Sequence, residues 1–263
     1  MQEGKTQFKM EKTNKLKGKT FIITGATSGM GEATARLFSA QSAQLVLSGR
    51  SRERGEKLLA ALKSSNPNVT IHYGDIAEEA TNQRLVEMAL ESFGRLDGFL
   101  CHAGMLGLGS VTEISPQTWR QTLSTNLDAV FYLAHHALPV MQNGGAIVLN
   151  ASIAATKSFP NHPAYCSSKA GLVAFGRQLA LDYSPKVRVN VICPGPVDTP
   201  LIWSSAAAFP DPDQAVADAA ANTLLKRLGK PEDIANLCLF LSTPESAWMT
   251  GAVVTIDGGI TVK

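Results

Sequence analysis

The sequence predicts a single-domain α/β fold, a doubly wound parallel sheet of seven strands with helices on both faces. Apolar, β-branched runs alternate with longer stretches of helical period. The runs are hydrophobic throughout, as expected of strands buried on both faces. The predicted strands are 20–24, 44–48, 69–73, 96–101, 146–151, 187–192 and 252–256. The predicted helices are 30–41, 51–64, 80–93, 116–142 and 163–183, and one with Pro231 in its first turn.

Length and charge limit the possible partners. A chain of 263 residues can bury a large core as one domain. Its 24 basic and 22 acidic residues are interspersed and give a net charge of +2, so nothing favours nucleic acid. No apolar run approaches the ~18 residues of a membrane span. We therefore expect neither a nucleic-acid nor a membrane partner.

The chain begins with 19 residues that include six lysines and little that is apolar. They lack the apolar core of a signal peptide and the arginines of a transit sequence. We expect a flexible lysine-rich tail over 1–17, a catalytic domain over 18–263 and a cytoplasmic protein. The cysteines have no C-x-x-C spacing, so buried free thiols are favoured over disulfides or metal ligands, and no metal is expected. They are Cys101, Cys166, Cys193 and Cys238.

A glycine-rich turn follows the first predicted strand. In "TGATSGMG" the residues Gly25, Gly29 and Gly31 are spaced G-x-x-x-G-x-G and lead into a helix. Glycines let the chain turn sharply and let a pyrophosphate approach the helix N-terminus, where the dipole favours anions. A tight strand–helix turn without a ligand is the alternative, but the position after the first strand of an α/β pattern favours a dinucleotide.

The segment 197–225 interrupts the alternation of strands and helices. It lies between the sixth and seventh predicted strands and is too long for a simple connection. Insertions near the carboxyl ends of parallel strands border the ligand crevice. We expect a substrate lid here.

A tyrosine and a lysine lie four residues apart in "YCSSK". Helical spacing places Tyr165 and Lys169 on one face, so that the ammonium can stabilise a phenolate and lower the pKa of the tyrosine. Tyr165 is then the expected general acid or base for a carbonyl or alcohol. Ser152, at a strand end, is expected to hold the same oxygen by a hydrogen bond. The alternative is an exposed helical pair without a role.

These motifs together resemble the classical short-chain dehydrogenases/reductases over roughly residues 18–260. The resemblance consists of "TGATSGMG", Asp75, "HAG" (102–104), Asn126, Ser152, "YCSSK", "PGPVDTP" (194–200) and "DGG" (257–259). It implies a Rossmann fold. His102 departs from the family's usual asparagine, and we expect it to be a structural, hydrogen-bonded imidazole rather than a catalytic one.

The resemblance also implies roles for individual residues. Lys169 is expected to bind the nicotinamide ribose, and Asn126 to hold a water that relays protons to it, which completes the catalytic set with Ser152 and Tyr165. Asp75 and Ile76 are expected beside the adenine, and Thr199 beside the carboxamide. The expected coenzyme-binding residues are Gly25, Thr27, Ser28, Gly29, Met30, Gly31, Arg50, Asp75, Ile76, Ala103, Gly104, Tyr165, Lys169, Pro194, Gly195, Val197 and Thr199.

The end of the second strand bears on the choice of coenzyme. Gly49 stands where family members that use NAD usually carry an aspartate, and Arg50 follows it. A guanidinium can grip a 2′-phosphate with two hydrogen bonds. NADP is therefore favoured over NAD; Arg50 stacking on adenine or opening the next helix is the alternative.

The expected substrate is a hydrophobic ketone or secondary alcohol. It follows from nine mostly apolar candidate pocket residues, Ile153, Ala154, Phe159, His162, Val197, Leu201, Ile202, Trp203 and Phe209. A 3-oxoacyl-carrier-protein reductase is a second possibility, although no Lys or Arg occurs from Gln121 to Thr156 to meet an acidic carrier. A non-catalytic NADP sensor is a third. The resemblance implies a homotetramer or homodimer formed through 116–142 and 163–183.

Overall fold

The computed structural model describes residues 14–207 and 209–263 and contains one seven-stranded sheet. The strands are β1 (Thr20–Thr24), β2 (Gln44–Gly49), β3 (Val69–Tyr73), β4 (Leu96–Cys101), β5 (Met141–Asn150), β6 (Val187–Pro194) and β7 (Val253–Ile256). All pairs are parallel, in the order β3-β2-β1-β4-β5-β6-β7. The order reverses between β1 and β4, which opens a ligand crevice at their carboxyl ends. The predicted fold class is confirmed.

Helices cover both faces of the sheet. They are α1 (Gly29–Ala40), α2 (Arg52–Lys63), α3 (Glu79–Phe93), α4 (Pro116–Leu123), α5 (Ala129–Ala137), α6 (Pro163–Tyr183), α7 (Pro200–Ala206), α8 (Pro212–Asn222) and α9 (Pro231–Leu241). A π-helical turn, Ser124–Asp128, joins α4 to α5. Short 3₁₀ turns occur at Ile153–Ala155, Pro244–Ser246 and Ile260–Val262.

The central strands β1, β2 and β4 are almost fully buried because each face of the sheet packs into its own core. On one face, Phe21 of β1 meets Phe38 of α1 edge to face, with ring centroids 5.3 Å apart, and α2 and α9 complete this core. On the other face, Ile22 packs with α3, α5 and α6, where Leu133 and Leu172 are almost fully buried. The two cores hold the sheet between two layers of helices. The carboxyl ends of its parallel strands therefore lie along one edge of the sheet.

The predicted helix 116–142 is wrong at its centre and its end. The chain forms α4, the π turn and α5, and α5 stops at Ala137. Pro139 explains the end, because it has no backbone N–H with which to continue the helical hydrogen bonds beyond Leu138. The following residues already belong to the sheet, since Met141 pairs with Leu96 of β4. A register shift between Leu96 and Gly98 accommodates this early start.

Most of the predicted tail, 1–13, lies outside the described residues. The last part of it, 14–17, is not a flexible tail, because Leu16 is 1% exposed and its nitrogen donates to the Gln41 carbonyl at 3.1 Å. Lys15 forms an ion pair with Glu245 at 2.7 Å. The packed domain therefore begins before residue 18.

The four cysteines are free thiols. Cys101, Cys193 and Cys238 are buried, as expected, whereas Cys166 is partly exposed. Cys166 follows Tyr165 on α6 and lies on the side of that helix that faces solvent, whereas the sequence had suggested a buried position.

Candidate active site

A cavity of about 880 Å³ opens at the carboxyl ends of β5 and β6. Ser152 and Tyr165 line it, as do five of the predicted coenzyme-binding residues: Met30, Pro194, Gly195, Val197 and Thr199. Its floor is the end of the sheet, and its outer wall is the segment that carries α7 and α8. The structure thus brings the glycine-turn helix, the serine and the tyrosine to one space.

Ser152 and Tyr165 reach this space from two different elements. Ser152 follows β5 in extended conformation, and its hydroxyl accepts a 3.1 Å bond from the Ala154 nitrogen. Tyr165 lies in the first turn of α6, which Pro163 begins. The Ser152 hydroxyl is near enough to Tyr165 to act on the phenol and lower its pKa. A carbonyl oxygen between them could receive a hydrogen bond from each.

Lys169 lies one helical turn beyond Tyr165 and is 4% exposed. Its ammonium is 5.6 Å from the centre of the tyrosine ring and donates a 2.8 Å bond to the Asn150 carbonyl. Burial lowers the pKa of Lys169 to about 8. The predicted spatial pairing of phenol and ammonium is therefore present.

The predicted lowering of the tyrosine pKa is wrong for the protein alone. Burial raises the pKa of Tyr165 to about 12, and the hydrogen bond with Ser152 offsets only part of this. The physical reason is desolvation, because a phenolate loses water at a site where the tyrosine is 9% exposed. Tyr165 is accordingly a protonated phenol at neutral pH, ready to donate.

Asn126 lies in the π turn and is 1% exposed. Its amide group donates to the Met105 carbonyl and to the Ser168 hydroxyl, both at 2.9 Å, and its oxygen accepts from the Met105 nitrogen at 2.8 Å. A Cβ on Gly104 would lie 3.3 Å from that oxygen and 3.7 Å from the Lys169 nitrogen. Through its hydrogen bonds to Met105, Asn126 therefore holds the loop after β4 in place beside Lys169.

The glycine turn has the shape that a dinucleotide requires. Gly25 and Gly29 have φ of +64° and +53°, which other residues rarely adopt. A Cβ on Gly25 would lie 2.7 Å from the Ala103 nitrogen, and one on Gly29 would lie 2.9 Å from Thr199. Ser28 precedes α1 without a side-chain cap, which leaves amide donors at that helix N-terminus. The residues present fit a pyrophosphate there.

The neighbouring strand ends place the residues expected at the adenosine. Gly49 ends β2 against Thr27, since a Cβ on it would lie 2.3 Å from the Thr27 methyl carbon. Arg50 follows and is exposed. Beyond β3, the exposed Asp75 accepts from the Ala77 nitrogen at 3.0 Å, and Ile76 is 7% exposed. These residues lie at the same sheet edge as the cavity but do not line it.

His102 connects three elements. Its Nε2 is 3.2 Å from the Thr34 hydroxyl of α1, and its Nδ1 is 3.1 Å from the amide nitrogen of Asn150. The Thr34 hydroxyl gives its proton to the Met30 carbonyl at 2.7 Å, so Nε2 must carry the imidazole hydrogen and Nδ1 must accept. Burial lowers the pKa of His102 to about 3. The expected structural imidazole is thus a neutral ring with a defined tautomer.

Eight of the nine predicted pocket residues line the cavity, and Trp203 does not. The Trp203 indole is 43% exposed and donates to Asp198 at 3.0 Å, because this position of the short helix α7 faces outward. Sequence reasoning did not select Leu106, Ser205 or the α8 residues that complete the wall. Helical spacing could have identified Ser205, which lies four residues after Leu201 and three after Ile202.

The described residues contain no group of three or more His, Cys, Asp or Glu side chains able to hold a metal ion. No helix within the same described ranges is both long and apolar enough to cross a bilayer.

A nucleotide-binding sheet edge and a serine–tyrosine–lysine set beside one cavity define an oxidoreductase of the hydride-transferring class. The family model described as enoyl-(acyl carrier protein) reductase matches residues 25–261. A cyclohexanol dehydrogenase from an Acinetobacter species is 34% identical, covering 97% of this chain and 100% of its own. A 3-oxoacyl-[acyl-carrier-protein] reductase from Thermotoga maritima is 30% identical, covering 94% and 100%.

Solved structures of dehydrogenases and reductases are also similar to this chain. A short-chain dehydrogenase/reductase from Brucella melitensis superposes with a TM-score of 0.88 at 33% identity, covering 94% of this chain and 98% of its own. Levodione reductase superposes with a TM-score of 0.90 at 30% identity, covering 94% and 99%. The chain belongs to the short-chain dehydrogenase/reductase family, whose members use NAD or NADP, and it is a dehydrogenase or reductase acting on CH–OH groups.

Proposed function

We propose that this protein is an NADP(H)-dependent oxidoreductase that interconverts a hydrophobic ketone and a secondary alcohol. The observation that carries the proposal is the convergence of Ser152, Tyr165 and Lys169 beside a cavity whose lining is mainly apolar. The similarity to a cyclohexanol dehydrogenase supports a cyclic substrate.

Each residue has a part in the proposed reaction. A bound nicotinamide would supply or accept the hydride. Tyr165, a protonated phenol at neutral pH, donates its proton to the carbonyl oxygen. Ser152 donates a second hydrogen bond that stabilises the developing charge on the same oxygen. For the reverse direction, the Lys169 ammonium is the protein's nearby positive charge that favours the phenolate.

The role proposed for Asn126 belongs to its main chain. Both amide hydrogens of its side chain already bond to protein atoms. A water that relays protons to Lys169 would therefore be held by the backbone of the π turn, whose i to i+5 pattern disturbs the usual helical pairing.

Arg50 supports NADP as the coenzyme. It is an exposed guanidinium directly after β2, and Gly49 leaves no carboxylate there to repel a 2′-phosphate. Asp75 and Ile76, at the end of β3, would border the adenine.

The proposal includes self-association and a cytoplasmic location. Phe131 on α5 and Leu181 on α6 are 51% and 76% exposed, an apolar surface that suits contact between copies in a homotetramer or homodimer. Four free cysteines suit a reducing compartment.

A substrate panel tests the function. NADPH and NADH absorbance is followed with cyclic, aromatic and aliphatic ketones, beside Tyr165→Phe. We expect NADPH-dependent reduction that falls at least 100-fold in kcat in the variant, because general acid catalysis contributes roughly that much. Undiminished turnover in Tyr165→Phe would contradict the mechanism, and no turnover with any ketone would contradict the function.

Reduction of a 3-oxoacyl thioester is the second candidate, favoured by the similarity to an acyl-carrier-protein reductase. Including acetoacetyl thioesters, free and carrier-bound, in the same panel separates the two. A kcat/KM for the carrier-bound ester far above that for every cyclic ketone would favour this candidate.

A further inference from the structure

His162 and Ser205 form a polar pair in the wall of the cavity, and His162 lies beside Tyr165. His162 precedes α6 and is 8% exposed, and its ring centre is 6.2 Å from that of Tyr165. Ser205 belongs to α7, and its hydroxyl oxygen is 3.2 Å from the Nε2 of His162. Both residues line the cavity.

The surrounding bonds fix which atom donates. The Nδ1 of His162 is hydrogen-bonded to the Pro160 carbonyl, which can only accept, so in the neutral form of an imidazole here the hydrogen lies on Nδ1. Nε2 is then an acceptor, and the Ser205 hydroxyl must give it its single hydrogen. The Ser205 oxygen retains its lone pairs. It therefore presents a hydrogen-bond acceptor, and no donor, to a molecule in the cavity.

We propose that this acceptor recognises a hydroxyl group on the substrate, so that the substrate is a hydroxylated ketone or the corresponding diol. The inference rests on the proposed function, because the same cavity holds the reacting carbonyl at Tyr165. The His162 and Tyr165 rings, with centres 6.2 Å apart, place the His162–Ser205 pair and the reacting carbonyl in the same part of the cavity.

The same geometry disfavours a second carbonyl at this place. A carbonyl oxygen would need a donor, and Ser205 could provide one only by turning its hydrogen away from His162. The Nε2 of a buried ring would then lack its partner, which is costly. The site accordingly selects a hydroxyl over both a methyl and a carbonyl group.

Matched substrates test the selection. We compare kcat/KM for 2-, 3- and 4-hydroxycyclohexanone with the methyl analogues and the cyclohexanediones. At least one hydroxy isomer is expected to exceed its methyl analogue about tenfold, as for one ordinary hydrogen bond. In Ser205→Ala the ratio of kcat/KM between the hydroxy compound and its methyl analogue should fall to about one.

Two variants serve as controls. Ser204→Ala removes a neighbouring hydroxyl of α7 that is exposed and bonds to the Pro200 carbonyl at 2.9 Å, so the preference should persist. His162→Phe keeps an aromatic ring beside Tyr165 but removes the acceptor that orients Ser205, and it should weaken the preference. Equal kcat/KM for hydroxy and methyl compounds in the wild type, or a preference that survives Ser205→Ala, would overturn the inference.

Binding separates this inference from the proposed function. Calorimetry with the cyclohexanediols and with cyclohexanol, at saturating NADP⁺ or NAD⁺, needs no turnover. We expect one diol to bind about five- to tenfold more tightly than cyclohexanol in the wild type and not in Ser205→Ala. If one diol binds more tightly than cyclohexanol but no compound is turned over, only the proposed function is contradicted. Equal binding, or no diol binding, contradicts the substrate class.

Discussion

The Lys169 ammonium donates a 2.8 Å hydrogen bond to the main-chain carbonyl of Asn150, which ties the catalytic helix to the end of β5. The carbonyl satisfies one hydrogen but carries no full charge to balance the ammonium. Burial is therefore incompletely compensated, and the pKa of Lys169 falls to about 8. The enzyme keeps a cation beside Tyr165 at a cost to the stability of the fold.

Lys169→Met tests this cost. The unfolded chain holds the lysine proton up to the ordinary lysine pKa of 10.5, whereas the folded protein releases it near 8. Between these values the wild type gains stability as the pH rises, on the order of 3 kcal/mol in total. We therefore expect the free energy of unfolding of Lys169→Met, measured with urea, to compare best with that of the wild type near pH 7. By pH 10 the wild type has gained stability, so the comparison becomes less favourable to the variant.

The matched control is Lys186→Met, which also removes a lysine-to-carbonyl bond, to Leu138 at 2.9 Å, on a half-exposed side chain. If the difference in the free energy of unfolding between Lys169→Met and the wild type is the same at pH 7 and pH 10, the lowered pKa of Lys169 is contradicted. Lys169→Met should also lose activity at every pH.

His102→Asn restores the residue usual in the family and tests the neutral imidazole. The folded wild type takes up the His102 proton only near pH 3, whereas the unfolded chain does so near 6.5. Wild-type stability should therefore fall more steeply than that of the variant as the pH drops from 6.5 to 4, by roughly 3 kcal/mol. Urea unfolding measures this difference.

NMR tests the same histidine directly. At pH 5 the His102 ring should be neutral with its hydrogen on Nε2, because Thr34 accepts and Asn150 donates. His135→Asn, at an exposed position of α5, provides the control for removal of a histidine. A titration midpoint of His102 near 6.5 would show that the three-element connection is absent.

Gly49→Ala should destabilise the protein through Thr27. The new Cβ would lie 2.3 Å from the Thr27 methyl carbon and 2.7 Å from its hydroxyl oxygen, and overpacking of this kind costs about 1–3 kcal/mol. Thr27→Ala removes both of these atoms, so the double variant should recover about 1 kcal/mol or more in a double-mutant cycle. Additive effects in urea unfolding would show that the two side chains do not compete for space.

Arg50→Asp should change the choice of coenzyme. Loss of a charge-assisted contact and repulsion of the 2′-phosphate are expected to lower the NADP/NAD ratio of kcat/KM by about 10- to 100-fold. Arg54→Asp makes the same charge change one helical turn further on and should leave the ratio nearly constant. An unchanged ratio in Arg50→Asp would remove the support for NADP.

Much of the fold could be predicted because its signals are local. Seven apolar runs and a glycine turn predicted the strands, their parallel arrangement and the coenzyme edge, since burial on both faces leaves an uninterrupted hydrophobic pattern. The helix 116–142 was predicted too long because periodicity does not register a π turn or the missing backbone N–H of Pro139.

The sequence by itself determined the parallel α/β sheet, the glycine turn and the spacing of Tyr165 and Lys169, because these depend on residues a few positions apart. Only the tertiary structure decided the protonation of the site. Burial by elements distant in the sequence raises the pKa of Tyr165 and lowers the pKa of Lys169. The tertiary structure also decided that His102 meets Asn150 and that His162 meets Ser205, 48 and 43 residues apart. No local pattern encodes such contacts, because they form only when the strands and helices pack together.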